Sequence, residues 1–298
     1  MKARLALFNL DSPETVGAKL FFRLLEASVI LWTIRFVWQW GTYIEQIPEV
    51  VLPLGIANYV DVSFMFDSSI ALVNASVISI LLLIGFVGRY RYAYFSAFLL
   101  FHVQYVSRYS LGAISHGSNL IGMCLLGLAL GHMFYSKIDL QRKFSLGFIY
   151  FFIGLAYTSA AICKLAATGP SWVSGSHLWM WIAERGVDTY SSSGVFDYNF
   201  LQELILEFGL LGTAILTFGL VTEFLAFLVW FKKPRRYIFA LLFIMHIGIL
   251  ISMKISFESN LFLILMLAGP WPAALDWTYA KLQEWNQSLA SRIISRLT

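Results

Sequence analysis

Charge is scarce in this chain. Asp, Glu, Lys and Arg together make up 13% of 298 residues, where a soluble domain usually holds about 25%. With 59% hydrophobic residues and a mean hydropathy of +0.72, that deficit excludes a water-facing globular domain and implies side chains that meet lipid. Cysteine is almost absent: Cys124 and Cys163 both lie inside apolar segments, which excludes a disulfide framework and any metal-ligand spacing. No basic run interleaves with aromatics, so the formal charge of +4 does not point to nucleic acid. The start, MKARLALFNLDSPETVGAKL, has a short apolar patch but no small-residue cleavage site. It reads as a mature cytoplasmic tail or interfacial helix, not a signal peptide. Internal repeats, low-complexity tracts and linkers are also missing, so the expectation is a single transmembrane domain over 1–298. Its core runs from about 20 to 272, and 273–298 form a cytoplasmic interfacial tail.

What is present is a series of apolar runs. A spanning helix needs about 20 mostly apolar residues, and such runs lie near 20–40, 68–88, 92–107, 112–133, 146–165, 204–231, 236–253 and 258–270. The predicted fold class is all-α, a polytopic membrane helix bundle of about eight spans with interfacial helices. Charge placement sets the orientation, because short cytoplasmic loops collect Lys and Arg. With the N-terminus inside, the inner segments hold Lys2, Arg4 and Lys19; Arg89 and Arg91; Lys137, Arg142 and Lys143; Lys232 to Arg236; and Lys281, Arg292 and Arg296. The outer loops hold Glu45, Glu49, Asp61, Asp67, Glu184, Asp188 and Asp197. Eight spans with both termini cytoplasmic satisfy the rule at every loop.

Two outer loops are long. The stretch 41–67 carries Tyr43, Pro48 and Pro53, and 166–203 carries Trp172, Trp179, Trp181 and Tyr190. Tryptophan and tyrosine gather at headgroup level because each ring pairs an apolar body with a polar tip. Residues 176–185 therefore predict a short amphipathic helix on the outer surface, after a Gly169–Pro170 turn.

An ionisable group at bilayer depth is costly, about 2.5–3.5 kcal/mol on insertion scales, and marks a candidate site. Those groups are Arg23, Glu26, Arg35, His116, Lys164, Glu223, His246 and Lys254. Arg23 and Glu26, three apart, predict a structural pair on one helix face. Arg35 and Glu223 either neutralise each other or line cavities. His102 and His132 read as packing residues, and His177 fits either role. Lys164 has no acidic residue nearby in sequence, Asp139 and Glu184 being the closest. One account makes it a snorkelling anchor that complements the helix dipole. The other makes it a dry amine beneath an aromatic lid of Trp172, Trp179 and Trp181, uncharged and competent as a general base.

Lys164-Leu165, then Trp172, Gly175 and the LWMW helix resemble the HTTM domain. That is the transmembrane region shared by vitamin K-dependent gamma-glutamyl carboxylase and a broad set of bacterial proteins. SHGSNLIG at 115–122 and HIGILISMKISFESNLFLILM from His246 to Met266 are similar to further family blocks, and Glu223 falls where bacterial members tend to carry a Glu. The likeness spans about 20–272.

The resemblance implies that Lys164 deprotonates a quinol, with His116 and His246 as the other catalytic groups. Arg108, Asn119, Trp172, Trp179, Glu223 and Lys254 would then line the substrate or cofactor pocket. The implied cofactor is a reduced quinone of the vitamin K or menaquinol type, the implied activity carboxylase-like (lyase or epoxidase), and no metal is implied. The implied location is the bacterial inner or plasma membrane, multi-pass. These 298 residues carry no counterpart of the carboxylase's large extracytoplasmic β-rich domain. The alternative expectation is therefore a non-catalytic membrane module for maturation or export of a secreted peptide toxin of the sporulation-delaying type. Its partners would be the lipid bilayer, the secreted peptide and a small accessory protein, and no nucleic acid. A transporter is disfavoured, since inverted repeats and Gly/Pro-broken helix pairs are not evident.

Overall fold

A computed structural model describes the backbone of residues 14–44, 55–88, 90–110 and 117–297. It is 88% helix, with no strand among the described residues. In chain order the helices are α1 (Val16–Ile44), α2 (Ser68–Gly88), α3 (Ala93–Ser110), α4 (Gly117–Phe134), α5 (Ile138–Thr168), α6 (Gly175–Ser193), α7 (Phe200–Glu207), α8 (Gly209–Phe224), α9 (Arg235–Met253), α10 (Glu258–Ala268) and α11 (Trp271–Leu297). The patch before Glu14, residues 45–54 of the first long loop, Arg89 and His116 lie outside the described residues.

Five helical segments are long and apolar enough to cross a membrane: α2, α4, α5 continued to Val173, α8 continued to Trp230, and α9. A sixth arises if α10 and the start of α11, bent by 64° at their junction, count as one span. The runs at 20–40 and 92–107 form helices but fall outside this set. Their compositions explain it: α1 carries Arg23, Glu26 and Arg35, and α3 carries His102, Gln104, Ser107 and Arg108.

The chain divides into two compact units, residues 1–148 with 269–298, and residues 149–268. In the first, polar groups within the apolar helices find one another, as low-dielectric burial requires. Gln104 of α3 donates to the Val37 carbonyl (3.0 Å) and accepts from Asn74 of α2 (3.0 Å). Glu26 accepts from Arg23, as the spacing predicted, and also from the Tyr94 hydroxyl at 2.7 Å. His132 joins this cluster, its Nε2 lying 3.9 Å from Glu26 and its ring edge-on to Tyr94, so it is more than the packing residue its sequence context implied. The start of α11 docks on α1, where the Gly17 amide donates to Asp276 (2.7 Å).

In the second unit the predicted surface helix is longer than 176–185, running as α6 to Ser193. Gly169, at φ +64, makes the turn that begins a 3₁₀ segment through Val173. Leu178 and Ile182 of α6 are buried with Ile205 and Leu216, and Trp172, Val173 and Trp181 pack against them. Gly175 permits this approach, because a methyl group there would overlap the Gly209 carbonyl oxygen. At the end of α9 the last carbonyls lack helical partners. Asn199 donates to Ile251 O (2.8 Å) and Gln202 to Ser252 O (3.0 Å).

Candidate functional site

Three helices of the second unit bring polar residues of the apolar runs together. On α5, Tyr157, Ala161 and Lys164 recur at i, i+4 and i+7, a spacing that places them on one helix face. Glu223 lies near the end of α8, where the helix tightens into a 3₁₀ segment at Leu225–Trp230. The change of hydrogen-bond pattern there is met by Thr158 of α5: its hydroxyl accepts from the Phe227 amide (3.0 Å) and lies 3.4 and 3.3 Å from the Glu223 and Phe224 carbonyls. Thr158 thus pins the backbone that presents Glu223.

Lys164 donates its Nζ proton to Glu223 Oε2, closing an ion pair in which the lysine side chain is 30% exposed and the glutamate 11%. This corrects the sequence expectation of an amine with no carboxylate partner. It also answers where Glu223 finds its cation: Arg35 instead lies over the Trp32 ring at 4.8 Å. Local sequence context could not reveal a partner 59 residues away. Trp172 covers the pair, its ring centroid 4.5 Å from Nζ, and Trp181 packs on Trp172 at 6.2 Å. His177 steadies the lid through the Trp172 carbonyl (3.1 Å). Trp179 does not take part, being 45% exposed; the lid is Trp172 with Trp181.

The second pair lies two turns deeper, about 10.5 Å along α5 at the usual helical rise. The Tyr157 hydroxyl and His246 Nε2 are 2.6 Å apart. His246 is 4% exposed, packs on Phe257 at 5.4 Å, and its Nδ1 has no hydrogen-bond partner among the described residues.

Of the remaining predicted site residues, His116 lies outside the described residues. Arg108, over the Trp40 ring at 5.6 Å, and half-buried Asn119 belong to the first unit. Lys254, expected in the pocket, is instead a latch: at φ +54 it ends α9 and donates to the Asp197 carbonyl (2.6 Å) and carboxylate (2.8 Å). Tyr157 and Thr158 were missed in the sequence. The available signal was the seven-residue spacing of Tyr157 from Lys164 inside an apolar run. Among the described residues no three His, Cys, Asp or Glu side chains gather as a metal site.

Chemically, the arrangement offers an amine whose proton is shared with a carboxylate, and a phenol–imidazole pair with one ring nitrogen available. Lys164 alone is not a free base; Lys164 and Glu223 form one proton-holding unit. The chain matches no protein-family model, and no curated protein or solved structure is significantly similar to it.

Proposed function

We propose that this is a multi-pass protein of the bacterial inner membrane, crossing it eight times with both termini cytoplasmic, whose second unit transfers a proton at its extracytoplasmic end. The substrate class is a lipid-soluble quinol or a secreted peptide, in the manner of the HTTM proteins that the sequence resembles. The single observation that carries this reading is the pairing of Lys164 with Glu223, and of Tyr157 with His246, across three helices beneath Trp172.

Within the Lys164–Glu223 unit, moving the shared proton onto the carboxylate leaves both groups uncharged and gives the amine a lone pair. The amine then accepts a substrate proton, a general-base step. His246 Nδ1, buried and unpartnered, is the position for a substrate hydroxyl or carbonyl, and Tyr157 fixes the ring that presents it. A reduced quinone fits this donor set: His246 and Tyr157 would hold its polar end, with Trp172 and Phe257 offering ring faces, and it would supply an ionisable ring hydroxyl.

A second reading is favoured by the same ion pair. Paired with Glu223, Lys164 also suits a structural role in a non-catalytic module that, with a small accessory protein, matures or exports a secreted peptide toxin. Lys164→Arg separates the two. Arginine keeps the pair with Glu223 but is not deprotonated in proteins. The proton-transfer reading therefore expects a folded, inactive variant in a cell-based activity assay, and the structural reading expects an active one. In parallel, extraction of purified protein should yield a bound quinone that Lys164→Ala loses; its absence from the wild type removes the quinol as substrate.

A further inference from the structure

Residues 135–137 join α4 to α5, two helices long and apolar enough to cross a membrane, so this turn sits at a membrane surface. Just inside it, Arg142 is buried, 1% exposed as a residue. Among the described residues its Nε, Nη1 and Nη2 find no hydrogen-bond partner. The nearest carboxylate oxygen, Asp139 Oδ1, is 3.7 Å from Nη2, too far to accept a proton, on a side chain 30% exposed. Other arginines are answered: Arg23 by Glu26 and the Phe86 carbonyl, Arg91 by Met133 O at 2.7 Å, Arg235 by Val229 O at 2.7 Å.

A guanidinium carries five N–H donors and cannot shed its proton. Buried charge with unmet donors costs several kcal/mol unless an acceptor compensates it. Asp139 offers attraction without satisfying one N–H. The setting is otherwise cationic: Lys137 and Lys143 flank the site in sequence, and Arg91 is tied to the end of α4 through the Met133 carbonyl. A planar fork of donors in a basic corner matches an oxyanion, above all a phosphate, which arginine binds bidentately.

We infer that the α4–α5 corner binds a phosphate oxyanion on Arg142, supplied by an anionic lipid headgroup or by free phosphate. Asp139, 30% exposed and 3.7 Å from Nη2, is the carboxylate that such an anion would compete with. This site lies wholly in the first unit and does not depend on the proton-transfer reading.

The test is the melting temperature of the full-length protein in mild non-ionic detergent. It is titrated with phosphatidylglycerol against phosphatidylcholine, and separately with sodium phosphate against sodium chloride at equal ionic strength. A saturable rise with phosphatidylglycerol alone identifies a lipid headgroup; a rise with inorganic phosphate identifies the free ion. In either case Asp139→Asn, which removes a competing carboxylate, should lower the half-saturating concentration several-fold. Arg142→Gln should abolish the response, and Lys143→Gln should only weaken it. If Arg142→Gln does not fold, the wild-type and Asp139→Asn titrations decide. The inference is overturned if neither phosphate source exceeds its control. It is also overturned if Asp139→Asn lowers the melting temperature without tightening the response, for then Asp139 is the counter-ion of Arg142.

Discussion

Lys164→Ala is expected to destabilise the protein by about 3 kcal/mol, the low end for breaking a buried pair, and by more than Glu223→Ala. The asymmetry follows from burial. Without Lys164 the Glu223 carboxylate, 11% exposed, is left inside an apolar bundle with no cation. Without Glu223, Lys164 keeps the Trp172 ring against its ammonium, and its side chain, 30% exposed near the end of α5, can extend toward the headgroups. Removing both partners leaves no orphan charge, so the double variant should lose less than the sum of the singles, by a coupling of about 0.5–3 kcal/mol. Denaturant or thermal unfolding in detergent measures all four corners of the cycle. Additive singles would mean that the two side chains act independently.

Glu26→Ala should produce a large loss in the first unit, about 3 kcal/mol, the low end for breaking a buried pair because Arg23 is partly exposed. Glu26 is 1% exposed and accepts from both Arg23 and the Tyr94 hydroxyl, with His132 beside it. Its removal strips the buried Tyr94 hydroxyl of its acceptor and leaves Arg23, whose side chain is 31% exposed, with the Phe86 carbonyl and ring. Glu26→Gln, which still accepts from Tyr94, should lose less, and Tyr94→Phe should cost about 1 kcal/mol, a single hydrogen bond. The check is again the unfolding midpoint. A Glu26→Ala variant as stable as the wild type would show that Arg23 and Tyr94 do not depend on this carboxylate.

The helices built from plain apolar runs, long and apolar enough to cross a membrane, were legible in the sequence: 68–88 coincides with α2, and 236–253 with α9 to within one residue. The runs at 20–40 and 92–107, read from the sequence as spans, are helices, but their polar residues, which serve contacts within the first unit, keep them out of the set apolar enough to cross. The site was legible as a set of residue types. Lys164, Glu223 and His246 stand out because charge and imidazole are rare in apolar runs, and Trp172 because it follows Lys164 across a turn. The pairing was not legible. Sequence proximity made Lys164 look unpartnered, while the fold brings Glu223 to it from α8. Tyr157, one of 14 tyrosines, carries no charge to single it out. Arg142, counted in the sequence among the loop cations, has a buried side chain, which its place in a basic stretch does not reveal.

The pairing of Lys164 with Glu223 is tested most directly by exchanging the two charges. Lys164→Glu alone and Glu223→Lys alone each place like charges together inside the bundle, and both should melt well below the wild type. The exchanged double variant, Lys164→Glu with Glu223→Lys, restores opposite charges at the same two positions and should melt above either single. A double variant that melts no higher than the less stable single would contradict the pair, and with it the proton-sharing unit on which the proposed chemistry stands.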